Sequence, residues 1–167
     1  MRYLIDGYNL MHALGLVRKA GGEAAWAASR LQLLDWLADR LPARPGDAFQ
    51  IVFDAQRSVG SVAESRRRGV TILVAHGGTA DDVIEDLTAA EIHPKQLTVV
   101  SNDHRLRDAA FRSGCGWITC GAFTDTVMKP PAATAPAEGD AKPGSADAAA
   151  DAELLKVFSQ PTPKPKR

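Results

Sequence analysis

Short apolar runs alternate along the chain with stretches whose apolar residues recur every three or four positions, up to about residue 128. Arg2–Ile5 is the first run and predicts a strand ending on Asp6-Gly7. From Glu23 to Leu41 the residues Ala27, Leu31, Leu34, Ala38 and Leu41 keep helical spacing until Pro42 stops them. Phe49–Phe53 predicts a second strand closed by Asp54, and Val70–Val74 a third, leading into His76-Gly77-Gly78. Between them Ser61–Arg68 predicts a short helix, with Gly69 as its C-terminal stop. Thr79–Glu91 and Asp103–Arg112 predict two more helices, with Leu97–Val100 and Trp117–Thr119 as the remaining strands. The apolar run of Leu97–Val100, broken only by Thr98, is consistent with a strand buried on both faces. Strands that alternate with helices imply an α/β fold in three layers, a mostly parallel sheet between two sets of crossover helices.

The pattern then breaks. Residues 129–150 are dominated by Ala, Pro and small polar residues, too poor in large apolar groups to form a core, and predict a flexible linker. Residues 151–159 regain helical spacing at Leu154, Leu155 and Phe158 and predict a short helix able to dock back on the domain. Residues 160–167 predict a disordered tail. The organisation is therefore one domain over 1–128 with an appended segment.

Composition changes this picture little. Of 167 residues 45% are hydrophobic, enough for a core, and the formal net charge is zero. Nucleic-acid contact must then come from a local patch rather than a global field. The two cysteines, Cys115 and Cys120, lack a second ligand pair for zinc and read as reduced, buried side chains of a reducing compartment. The N-terminus is apolar too briefly for a signal peptide, and no stretch approaches a membrane span, so a cytoplasmic location with no membrane contact is expected.

The acids change it more. Ligands of open parallel sheets bind outside the carboxyl ends of the strands. There stand Asp6, Asp54 and Ser101-Asn102-Asp103, with Asp81 and Asp82 opening the helix after the third strand. Clustered carboxylates share protons or a cation, and oxygen donors of this kind suit Mg2+ or Mn2+. Such ions support phosphodiester hydrolysis. Each acid also has a structural reading. Asp82 with Thr79 resembles a capping pair, Asp81 suits a helix dipole, and Asp103 follows two capping candidates. Asp54 can close a turn, and Asp108 can be a solvated helix residue. Asp6, ending a buried strand just before a glycine, resists such a reading.

Three segments taken together, Leu4-Ile5-Asp6-Gly7-Tyr8-Asn9-Leu10, Gly78-Thr79-Ala80-Asp81-Asp82 and Val99-Val100-Ser101-Asn102-Asp103 with Leu106 and Ala109, resemble the NYN domain family in its bacterial YacP-like branch. The resemblance spans about residues 1–127. It implies a PIN-like, flap-nuclease-like ribonuclease fold and a Mg2+- or Mn2+-dependent site. By the family pattern Asp6, Asp81 and Asp103 bind the metal and catalyse, and Asn9 is the polar partner beside Asp6. Asp82 and Asp108 correspond more loosely, and Asp54 falls where a supporting acid stands. Few further acids are present, which suits one ion, or a second arriving with the substrate phosphate.

The expected partner is RNA, single-stranded or locally unpaired, alone or within a larger RNA-containing assembly. Arg66, Arg67 and Arg68 form the densest basic run, Arg57 precedes them and Arg105 lies beside Asp103. Arginine forks suit phosphate oxygens, although the run reads equally as a charged helix face. Tyr8 reads as a stacking or a packing residue, and His12 and His76 as proton carriers or ordinary surface histidines. Two function classes follow. One is a metal-dependent endoribonuclease, the other an RNA-binding module of the same fold that does not cut. A phosphate-accepting receiver built on Asp54 fits poorly, because D-G-Y-N replaces the paired acids that it needs after the first strand.

Overall fold

The computed structural model describes residues 1–17, 22–54, 63–76 and 78–129. The expected linker, C-terminal helix and tail, and Arg57, lie outside the described residues. The described chain forms β1 (Arg2–Asp6), α1 (Gly7–Ala13), α2 (Glu23–Ala38), β2 (Ala48–Asp54), β3 (Ala63–Arg67), β4 (Val70–Ala75), α3 (Ala80–Ala89), β5 (Leu97–Val100), α4 (His104–Arg112), β6 (Gly116–Ile118) and α5 (Cys120–Met128). The strands make one sheet in the order β3-β4-β2-β1-β5-β6, parallel except for β3. The α/β fold with a mostly parallel sheet is as expected.

Both faces of the sheet are buried, which is why its inner strands are almost continuously apolar. On one face Ile5, Ile51, Phe53 and Val74 meet Leu34 and Leu37 of α2, Leu10 of α1 and Phe123 of α5. On the other, Leu4, Val52, Leu73 and Val99 meet Ile84 of α3 and Leu106 of α4. The alternation of neighbours such as Leu4 and Ile5 between the two clusters is the period of two of a pleated strand. β1 lies at the centre. β2 and β4 extend the sheet to one side of it, β5 and β6 to the other, so the chain reverses direction between β1 and β5. In such sheets that reversal opens a crevice at the carboxyl ends of the two strands.

One expected element is corrected. The described part of Ser61–Arg68 is not helical: Ala63–Arg67 is the antiparallel edge strand, paired from Ala63 with Val74 to Arg67 with Val70. Arg68 and Gly69 have φ of 45° and 87°, so both central residues of a tight hairpin turn lie in the left-handed region, which matches the twist of the flanking strands. Gly69 serves that turn rather than a helix end. The deciding contact is remote in sequence: Arg67 turns into the α2 face and pairs with Asp35 at 2.9 Å.

Two helices carry no clear sequence signal. α1 is seven residues long and opens on Gly7 directly after β1. A Cβ at Gly7 would overlap the Phe53 ring and stand 2.8 Å from the Val52 carbonyl oxygen, so only glycine lets the chain turn there. α5 begins at the Thr119 cap, whose side chain accepts the Ala122 N–H, and buries Phe123 and Val127 one turn apart.

Candidate metal and nuclease site

The crevice between β1 and β5 is built by one hydroxyl and two acids. Asp6, 3% exposed, ends β1 and caps α1, its Oδ1 accepting the Asn9 N–H at 3.0 Å. Its Oδ2 accepts from the Asn9 side-chain amide and from the Ser101 hydroxyl, the latter at 3.0 Å. Ser101, fully buried, accepts the Asp103 N–H at 3.0 Å through the same oxygen. That hydroxyl therefore fixes Asp6 and the start of the Asp103 loop relative to each other. Asp103 caps α4, accepting the Arg105 N–H at 2.7 Å. Asn102 holds the next helix: its side-chain oxygen accepts the Cys120 N–H at 3.0 Å.

α3 closes the crevice from the β2 side. Asp54, at the end of β2, accepts the Ala80 N–H, which ties the start of α3 to the strand edge. The next residue, Asp81, is pushed above the ordinary carboxylate range, first by burial and then by the charges of Asp6 and Asp103. Arg105 opposes this rise, and Asp54 adds to it. Four acids from four segments thus share one electrostatic neighbourhood. Its neighbour Asp82 behaves oppositely. It completes a capping box with Thr79 and meets Arg105 at 2.7 Å, and it is held down at about 2, chiefly by the Arg105 hydrogen bond and then by Thr79. Arg105 also binds Glu85 at 2.7 Å, bridging α4 to α3 at the rim.

The donors fit a hard divalent cation in kind: carboxylate oxygens, with the Ser101 hydroxyl and the Asn9 amide nearby. In arrangement, no three carboxylate, histidine or cysteine groups among the described residues stand close enough to ligate one ion together. Asp6, Asp54, Asp81 and Asp103 repel one another without forming a finished ligand set.

The other expected residues are scattered. Asp108 is exposed and pairs with Arg107 at 3.1 Å, a turn beyond Asp103. Arg66, Arg67 and Arg68 lie at the end of β3 remote from the carboxylates, since Arg66 pairs with Thr71 near the start of β4. Arg67 and Arg68 are tied to Asp35, and Arg68 also to Asp39 at 2.8 Å. Arg105 is the arginine placed at the crevice. His12 is exposed at the end of α1, and His76 follows β4.

Two residues beside the site have no clear sequence signal. Ser101 reads as a mere helix cap until its bond to Asp6 is seen. Arg30, 1% exposed, sits on the apolar stripe of α2 and donates to the Tyr8 hydroxyl at 3.0 Å. Its guanidinium lies 5.9 Å from the Tyr8 ring centroid, and Tyr8 also packs on Trp26 at 5.5 Å. Tyr8 is thus held against α2. Cys120, buried under the crevice, has its thiol pushed up to about 12 by burial and then by Asp6, which keeps it protonated.

A mostly parallel α/β sheet with helices on both faces thus gathers these acids at its topological switch point, where such folds place their ligand sites. The profile of the YacP-like NYN domain matches residues 3–155, and the chain belongs to that family. Among solved structures, crystal structures of Rae1 (YacP) from Bacillus subtilis share the fold. One is 23% identical with a TM-score of 0.60, over 77% of this chain and 74% of that one. A point mutant of it is 22% identical with a TM-score of 0.61, over 76% and 74%. No curated protein sequence matches the chain. Among the described residues no helix is long and apolar enough to cross a membrane.

Proposed function

We propose that the chain is a metal-dependent endoribonuclease acting at the β1–β5 crevice on single-stranded or locally unpaired RNA, free or within a larger RNA-containing assembly, in the cytoplasm. One observation carries the reading: Asp6, Asp54, Asp81 and Asp103 come from four segments, and Asp81 feels the charge of the other three. A surplus of negative charge at a strand edge is what a divalent cation offsets. Asp6, Asp81 and Asp103 would hold Mg2+ or Mn2+, with Asn9 and Ser101 orienting Asp6. When bound, such an ion stabilises charge on a phosphoryl group and lowers the pKa of water. Asp54 positions α3 through Ala80, and Asp82 holds Arg105 at the rim, where its guanidinium can turn to a phosphate oxygen. Arg57, outside the described residues, and exposed Arg66, at the end of β3 away from the carboxylates, stay as candidate contacts to more distant phosphates, whereas Arg67, Arg68 and Asp108 have partners within the chain that support structural roles.

The test is cleavage of end-labelled single-stranded and structured RNAs with Mn2+, Mg2+ or EDTA. Asp6→Asn is the sharpest variant, because Asn caps a helix as well as Asp does. The expected outcome is metal-dependent fragments in the wild type, lost in Asp6→Asn and Asp81→Asn, with thermal unfolding little changed. Cleavage by Asp6→Asn at the wild-type rate would sink the proposal. The lack of a ready set of three ligands among the described residues favours a second reading, an RNA-binding module that does not cut. RNA binding insensitive to EDTA, with no fragments in either metal, would select it.

A further inference from the structure

The two faces of the sheet meet the carboxylate crevice with different side chains. On one face α3 and α4 bring acids and Arg105 to it. On the other, α1 carries Tyr8, whose backbone lies two residues past Asp6 and so within about 7 Å of it. α2 is the crossover between the parallel strands β1 and β2, so it runs against them and its first turns stand at their carboxyl edge. That places Trp26 and Arg30 beside Tyr8. Both aromatic rings are half-buried, and they meet at 5.5 Å, tilted by 56°. Buried Arg30 donates to the Tyr8 hydroxyl at 3.0 Å and stands 6.0 Å from the centroid of Phe53, at the end of β2. The core does not need the Tyr8 ring as an anchor, because α1 is already held by the fully buried Leu10 and Met11. Tyr8 instead keeps part of its surface in solvent, beside the most buried acid of the site. Taking a guanidinium out of water is costly, and here it fixes the far end of a side chain with only two rotatable bonds. The ring is therefore oriented before anything binds to it.

We propose that Tyr8, braced by Arg30 and Trp26, is a stacking platform for one unpaired base of the RNA, beside the phosphate that the carboxylates address. The inference rests on the RNA reading of the crevice and adds a base subsite to it. A strand crossing the edge of the sheet sets its backbone at the acids and Arg105, and one base on Tyr8 on the opposite face. Aromatic side chains receive the splayed bases of single strands. Every base has a π-face, so such a platform selects unpaired RNA without choosing its sequence. In a duplex the bases are already stacked on one another, and Tyr8 has nothing to receive.

The test is equilibrium binding of short RNAs that carry 2-aminopurine, a base whose fluorescence falls when it stacks, at successive positions. EDTA or Ca2+ replaces Mg2+ and Mn2+, so that binding is read apart from cleavage. The wild type is compared with Tyr8→Phe, which keeps the ring, and Tyr8→Leu, which keeps an apolar side chain without one, and thermal unfolding checks that both fold. The wild type should quench one position in single strands and none in a duplex. Tyr8→Phe should retain the quench, whereas Tyr8→Leu should lose it and bind about 5–150-fold more weakly. An abasic nucleotide at the quenched position should weaken wild-type binding by a similar factor and leave Tyr8→Leu unaffected. The absence of a quenched position in the wild type would overturn the inference without recourse to any variant. So would equal quenching by Tyr8→Leu, or an abasic penalty of the same size in both proteins. A wild type that binds no RNA in either condition would overturn it together with the RNA reading. Stacking without fragments in Mn2+ or Mg2+ would support it while the nuclease reading fails.

Discussion

The crevice between β1 and β5 and the β3–β4 edge both gather charge, and they dispose of it in opposite ways. At the edge each buried or strained arginine meets an acid on α2: Arg67 pairs with Asp35, and Arg68, at positive φ, with Asp35 and Asp39. In the crevice the acids meet hydroxyls, amides and one another, and Asp81 is left with a raised proton affinity. Charges neutralised inside the fold are part of its architecture. Charges left in surplus at a strand end are available to something from outside. The same contrast recurs within the first turn of α3, where Asp82 faces Arg105 and Asp81 faces the other acids.

Breaking the crevice should have the largest effect. Ser101→Ala removes the one hydroxyl that touches both Asp6 and the Asp103 backbone. Loss of such an orienting partner costs about 10–100-fold in metal affinity or activity, so RNA cleavage should fall by that factor. The lost hydrogen bonds should cost about 1–2 kcal/mol in urea unfolding. Wild-type cleavage in this variant would mean that the two acids need no such coupling. Asp35→Ala tests the edge. It removes the Asp35 carboxylate that stands 2.9 Å from Arg67 on the α2 face and should cost about 1–2 kcal/mol, since Asp35 itself is partly solvated. Cleavage per folded molecule should stay unchanged, and a loss of cleavage would show that the edge serves the site. The smallest effect belongs to Asp82→Asn. The Asp82 carboxyl lies at about 2 in the folded chain against an ordinary 3.8, so the stability it adds is complete above about 4 and disappears as pH falls through about 2. The variant should lose that contribution at neutral pH, a small one for so exposed a pair, and flatten acid unfolding curves in that window, with cleavage falling slightly as Arg105 is released. An unaltered acid limb would show that Arg105 holds Asp82 no better in the folded chain than water does.

Much of the site was legible because its signals are local. Continuous apolar runs mark β1, β2, β4 and β5, and in a parallel sheet the residue that ends each run must lie at one edge, which placed Asp6, Asp54 and Asp103 without any contact being known. Thr79 and Asp82 likewise announce their capping box through spacing alone. What sequence did not show depends on partners far along the chain. The stretch Glu64–Arg67 is unambiguous in space, because β3 is a strand by virtue of β4 and of Asp35, which lies more than thirty residues from Arg67. In sequence its charge and the glycine that follows Arg68 suit a helix end. α1 begins on a glycine that propensity disfavours, and steric contact with Phe53 is what requires it there. Ser101 carries no mark of its role, since its bond to Asp6 joins positions 95 apart.

That last separation sets an order of assembly. A ribosome adding about 5–20 residues per second releases β1 well before β5, so Asp6 exists for roughly 5–20 s before the hydroxyl that orients it has been made. During that interval the central strand has at most one of its two neighbours, and Asp81 lacks Asp103. On the proposed nuclease reading the nascent chain is silent until β5 delivers Ser101 and Asp103, and a slow stretch of translation just before residue 97 lengthens that silence.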